Sequence, residues 1–196
     1  MAETISTKTR GLTRRAVLAG LAAGLAGPAF AADHPAVTYM RKVGKDMLNA
    51  HRQGTVASFK RAIQRHADVR GIADYSLGQY RSKLPSGQKD RYYGGTATFM
   101  ARYFADQSRE YPVAKYTIGE ATAGDNKEIS VDSKVYLMSG QTYTVVWKLG
   151  WKGGGYKVLD VKIMGFSLIY LQRGLFTSFL SKRNGDVGQL VAALNR

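Results

Sequence analysis

The sequence predicts an α+β domain: a helical first half, an antiparallel meander of about four strands, and a return to helix at the end. Three observations carry that expectation. Apolar residues recur at helical spacing between Val37 and Tyr103, alternate from Val113 to Ile163, and resume helical spacing after Gly165. Pro112 marks the first change, because proline fixes φ and lacks an amide donor. No internal repeat, low-complexity segment or linker interrupts this order, so residues 32–196 are read as one domain.

Residues 1–31 are set apart as an address. Arg10, Arg14 and Arg15 precede a run of small apolar residues from Ala16 to Gly27. Pro28 and the small-x-small site Ala29-Phe30-Ala31 follow, which is the order of a secretory signal peptide. The apolar run falls short of the ~20 residues that a membrane-spanning helix needs. Thr13-Arg14-Arg15-Ala16-Val17-Leu18 resembles a twin-arginine export motif and departs from it at Val17, where Phe is usual. The expected destination is the periplasm. Cleavage after Ala31 removes four basic residues and Glu3 from a chain of net charge +15, leaving about +12. Cysteine is absent, so the exported domain is held by packing alone and thiol chemistry is excluded.

The first helix is expected from Val37, Met40, Val43, Met47 and Leu48, ending at Gly54. Thr55 is positioned to cap a second helix carrying Val56, Phe59, Ala62 and Ile63. Asp68 caps a third, with Ile72, Ala73, Ser76 and Leu77. After Gly78 and Pro85, Ser86 caps a longer helix in which Tyr92, Thr96, Phe99 and Tyr103 share a side. Four strands follow over 114–122, 128–137, 143–149 and 156–163, separated by turn residues. In the third, Tyr143, Val145, Trp147 and Leu149 share one face. In the fourth, strict alternation places Tyr156, Val158, Asp160 and Lys162 opposite Lys157, Leu159, Val161 and Ile163. Gly153-Gly154-Gly155 reverses the chain between them. Gly165 ends the sheet, and helices capped by Ser167 and Asp186 close the chain. The last hairpin and the helix after it make one apolar wall, expected to line a lipid-sized cavity.

Little in the sequence points to catalysis. His34 is expected to be mobile, and His51 and His66 are expected on solvated helix faces; none has metal-ligand spacing. Gly165-Phe166-Ser167 begins like a nucleophile elbow but lacks the second glycine. The triple glycine lacks a phosphate-binding Lys-Ser pair. Asp160 is the one carboxylate set among apolar residues. A small-molecule enzyme using Asp160 with Tyr143 or Tyr170 is therefore the rival reading, against a hydrogen-bonded structural carboxylate. The positive charge is scattered, and export argues against nucleic acid. Lys and Arg near anionic lipid contribute about 1 kcal/mol each, which suits transient contact with a membrane surface.

Tyr156-Lys157-Val158-Leu159-Asp160-Val161-Lys162-Ile163-Met164-Gly165-Phe166-Ser167-Leu168-Ile169 resembles the signature of the MlaC, or toluene-tolerance, family. That pattern runs Trp-Lys-Val-Tyr-Asp-Val-x-Ile-Glu-Gly-Val-Ser-Leu. Leu77-Gly78-Gln79-Tyr80-Arg81 followed by Gln88-Lys89 and Phe99 matches the helical half in order and spacing. Tyr156 replaces the usual Trp, Met164 an acid, and Phe166 a smaller apolar residue; Leu171-Gln172-Arg173 stands where Asn-Tyr-Arg is common.

The resemblance implies an NTF2-like α+β fold, no catalytic activity, no cofactor and phospholipid as cargo. It also implies an inner-membrane ABC transporter complex and an outer-membrane lipoprotein complex as partners, in a system that maintains outer-membrane asymmetry. Candidate lipid-binding residues are Ala73, Leu77, Tyr80, Phe99 and Tyr103 from the helices, with Val145, Trp147, Val161, Ile163 and Ile169 from the sheet and the helix beyond. Arg81 and Arg173 are candidates for the headgroup phosphate. Another amphiphile, such as a hopanoid or sterol-like lipid, is the alternative cargo, since Met164 and Phe166 reshape the pocket.

Overall fold

The structure is a computed structural model that describes residues 33–196. The signal peptide and twin-arginine motif expected over residues 1–31 lie outside the described residues. Four helices come first: α1 (Pro35–Gln53), α2 (Val56–His66), α3 (Val69–Leu77) and α4 (Lys89–Glu110). Strands β1 (Val113–Ala123), β2 (Ile129–Leu137), β3 (Thr142–Lys152), β4 (Gly155–Ile163) and β5 (Phe166–Ser167) follow, then α5 (Leu168–Ser181) and α6 (Val187–Leu194). The sheet is antiparallel throughout, in the order β1-β2-β3-β4-β5. It is a meander, because each short turn returns the chain beside the strand it has just left.

Helix ends follow the local chemistry. The side chains of Thr55, Asp68, Ser167 and Asp186 accept amides of the first turns of α2, α3, α5 and α6. Ser86 does not cap α4. It opens a separate 3-10 turn, Ser86–Gln88, and α4 begins at Lys89 without a side-chain cap. His34, expected mobile, instead caps α1: its Nδ1 accepts the Ala36 amide at 3.1 Å.

Two features of the sheet differ from simple alternation. The sheet does not end at Gly165. Met164 and Gly165, at φ 51° and 86°, form a two-residue turn that pairs Phe166 back on Ile163 and Ser167 on Lys162, adding a fifth strand. A bulge also lies at Leu159, since Lys148 pairs with Asp160 but Leu149 with Val158. The extra residue corrects the face assignment in β4. Val158, Val161 and Ile163 lie opposite Leu149, Trp147 and Val145 on the inward face of β3, and Tyr156 opposite the exposed Trp151 on the same face, whereas strict alternation splits them between two faces.

The helices pack on one side of the sheet in three separate apolar clusters. One joins Ala36, Met40 and Val43 of α1 to Val131, Leu149 and Val158 of the sheet. A second joins Ala50, Phe59, Ala62, Ile63, Ala101 and Ala105 of α1, α2 and α4. A third joins α3 to α6 through Ala73, Leu77, Tyr92, Phe176, Leu180 and Leu190. Most domains close around one contiguous core. Here the clusters leave space where they meet. Close approach at one crossing depends on Gly44, where a Cβ would stand 2.6 Å from the Tyr116 ring. The Asp68 amide donates to the Val158 carbonyl at 2.9 Å, fastening the loop between α2 and α3 to β4. Among the described residues no helix is long and apolar enough to cross a membrane.

Candidate functional site

The space between sheet and helices is a cavity of two lobes, about 480 and 470 Å³. Met47, Tyr103, Phe104, Trp147, Val161, Leu168 and Leu171 belong to the walls of both, so the lobes lie side by side. The first extends among α2, α4, β4 and α5, past Ile63, Ile72, Phe99, Val158 and Ile169. The second extends along the sheet among α1, β1, β2 and β3, past Phe59, Tyr116, Ile118, Val135, Val145 and Ile163.

Seven of the ten residues expected at a lipid site line this cavity. Phe99 and Ile169 face the first lobe, Val145 and Ile163 the second, and Tyr103, Trp147 and Val161 both. The other three lie elsewhere. Ala73 and Leu77 are wholly buried in the cluster that joins α3 to α5 and α6. The inner face of α3 meets chiefly α5 and touches the sheet only at β4, so helical spacing identifies burial but not its partner. Tyr80 sits in a 3-10 turn and packs against Gly185, where a Cβ would come within 2.8 Å of its ring. Sequence reading missed the α1 and α2 contributions of Met47 and Ile63, and also Leu168, Leu171 and Leu175 of α5. The signal was present: α5 is apolar nearly all round, which on a surface helix implies a second apolar environment.

Several polar groups in and behind the walls are satisfied by the protein itself. The His66 Nε2 lies 2.8 Å from the Asp46 carboxylate, and its Nδ1 lies 3.4 Å from the Tyr39 hydroxyl, which donates to the His66 carbonyl at 3.1 Å. Its bond with His66 holds the Asp46 carboxyl below the usual carboxylate range, and burial pushes the Tyr39 phenol up to about 12. The Gln172 amide donates to the Ser76 hydroxyl at 2.7 Å. The Trp147 indole donates to the Ser133 hydroxyl at 2.9 Å, which in turn donates to the Val145 carbonyl. The His51 Nε2 accepts the Val113 amide at 2.9 Å, and burial pushes this imidazole's pKa down. His51 and His66 are thus buried or half-buried in packed contacts, not on the solvated faces expected of them. What faces the hollow is mainly hydrocarbon, the surface that an apolar guest needs.

Asp160 is structural in this arrangement. Its carboxylate accepts the Val161 amide at 2.8 Å, the Ile169 amide at 3.1 Å and the Ser167 hydroxyl at 2.6 Å. Neither Tyr143 nor Tyr170 is among its partners; the Tyr143 hydroxyl donates to Gln141. Asp160 therefore fixes the start of α5, and with it the wall shared by both lobes. Arg81 is engaged with Asp74 at 2.8 Å. The Arg173 guanidinium lies 4.7 Å over the Tyr75 ring, whose edge-on neighbour Tyr170 borders the first lobe.

A single antiparallel sheet, helices on one face and an apolar two-lobed hollow between them define a cavity-bearing α+β protein. The chain belongs to the MlaC family: residues 37–196 match the family described as MlaC protein. It is 23% identical over 151 residues to the toluene tolerance protein Ttg2D of Pseudomonas putida, covering 76% of this chain and 70% of that one. Its fold is similar to that of a phospholipid-binding protein from Ralstonia solanacearum solved in complex with a phospholipid. There the TM-score is 0.66 at 22% identity, over 84% of this chain and 96% of that one.

Proposed function

We propose that this protein is a periplasmic carrier that holds a glycerophospholipid in the two-lobed cavity. It passes the lipid between an outer-membrane lipoprotein complex and an inner-membrane ABC transporter complex, and so helps maintain outer-membrane asymmetry. The observation that carries this reading is the paired shape of a cavity lined mainly by apolar side chains. Two lobes of nearly equal size suit two acyl chains, one in each. A rigid polycyclic amphiphile of the hopanoid or sterol kind has no second acyl chain to offer the other lobe. MlaC membership and the phospholipid bound to the Ralstonia solanacearum protein support the same cargo.

The energetics explain why such a protein works without a reaction step. Two acyl chains hold roughly 30 methylenes at about 0.8 kcal/mol each, so their gross burial is on the order of 20 kcal/mol. Escape into water is then very slow, and release requires an acceptor that takes the chains directly. Asp160 has a positioning task in this scheme, not a catalytic one. Arg173, stacked on Tyr75 next to the lobe-lining Tyr170, is the candidate for the headgroup phosphate; Arg81 is committed to Asp74.

Native mass spectrometry and lipid extraction of the purified protein test the reading. Phospholipid at about one molecule per chain is the expected result. A clean empty protein that takes up no lipid from mixed micelles overturns it.

A further inference from the structure

The rim of the cavity carries an unusual surface. Met164, Phe166, Tyr170, Leu171 and Leu175 are each between 51% and 68% exposed, yet each also borders a lobe. Met164 occupies the first position of the β4–β5 turn at φ 51°, a left-handed conformation that suits Asn or Gly and is strained for a long apolar side chain.

Along the part of the rim built by the end of β4, β5 and α5, the charge is of one sign. From Val161 to Gly185 there is no Asp or Glu, while Lys162, Arg173, Lys182 and Arg183 are cationic. Lys162 lies opposite Ser167 in the β4–β5 pairing, beside Phe166. Leu171, Leu175 and Lys182 follow one another along a single stripe of α5 and its end, and all are exposed.

From this we infer that the rim is a docking surface for an anionic phospholipid bilayer. The Met164–Phe166 turn and the Leu171–Leu175 face enter the interfacial region, and the flanking cations meet lipid phosphates. Because the inserted side chains are also cavity wall, the hollow opens against hydrocarbon and a chain can cross without traversing water. The inference builds on the carrier reading and adds to it the place of lipid exchange.

Vesicle flotation tests it, using protein purified after export. The probes are vesicles of neutral phosphatidylcholine and vesicles in which roughly a third of that lipid is replaced by phosphatidylglycerol, a share high enough to give a strong negative surface potential. Wild-type protein is expected to float with the anionic vesicles, less so at high salt and with the neutral ones. Met164→Glu with Phe166→Ser is expected to lower flotation at least tenfold. Lys162→Glu with Lys182→Glu, which alters no cavity wall, is expected to do the same while extracted lipid stays at the wild-type level. Trp151→Ala, at the opposite end of β3, is expected to float as wild type. Wild-type protein that stays in solution with both vesicle types overturns the inference, and so does unchanged flotation in both double variants. Lipid extraction from the same preparations separates the two ideas: cargo without flotation removes the docking surface and leaves the carrier.

Discussion

The Ser167 hydroxyl donates to the Asp160 carboxylate at 2.6 Å while the same oxygen accepts the Tyr170 amide at 3.3 Å. One residue thus ends the fifth strand, caps α5 and ties both to β4. The wall shared by the two lobes hangs from that link. Asp160→Ala leaves two backbone amides and a hydroxyl without their acceptor, and is expected to cost about 3 kcal/mol. Asp160→Asn keeps the shape and part of the bonding, and is expected to cost about 1 kcal/mol. Urea unfolding of the two variants measures the difference. Equal losses would show that the shape, not the bonds, carries the stabilisation.

Filling the hollow separates binding from folding. Val145 borders the second lobe and Val161 both. Val145→Trp and Val161→Trp extend indoles into space that is already empty, so overpacking strain is small. Both proteins are expected to melt near the wild-type temperature and to take up no phospholipid from mixed micelles. Normal uptake by both would remove these walls from the site.

Leu77 behaves oppositely. It is wholly buried in the cluster of α3, α5 and α6, away from either lobe. Leu77→Ala is expected to lower stability by about 2–5 kcal/mol, through lost transfer energy and the void it leaves. The lipid content of the protein that remains folded is expected to be unchanged, as lipid extraction after size-exclusion chromatography would show.

Acid should loosen the junction of α1 and β1. The His51 Nε2 accepts the Val113 amide, which only the unprotonated nitrogen can do, and burial depresses the folded-state pKa below the ordinary 6.5. The unfolded chain therefore binds the proton first. This contribution is fully present above pH 6.5, declines as pH falls below it, and is lost once pH passes the depressed folded value. Thermal melts from pH 7.5 to 5 are expected to show a decline that His51→Gln flattens, because glutamine offers an acceptor that does not titrate. An unchanged slope in His51→Gln would assign the decline to other groups.

Local chemistry made much of this fold legible in advance. Thr55, Asp68, Ser167 and Asp186 each bond a backbone amide within three residues, and such caps depend on nothing distant. Alternation in β3 placed the inward face correctly because its pairing with β4 is regular as far as Lys148 opposite Asp160. The bulge at Leu159 was not legible within β4 itself; its one mark is on the partner strand, where a Cβ at Gly150 would stand 2.7 Å from Leu159. Ala73 and Leu77 show the same limit from the helical side: spacing reports that a face is buried, while the neighbour that buries it is decided by the global packing. The fifth strand was hidden because Met164 is a poor residue for the turn it occupies.

The division of the interior into three clusters has a mechanical consequence. A domain with a hollow at the meeting point of its clusters occupies more volume folded and empty than its atoms require. Unfolding recovers that space, so hydrostatic pressure should favour collapse of the vacant form. A guest that fills both lobes removes the penalty, and the loaded protein should withstand compression that its vacant counterpart does not.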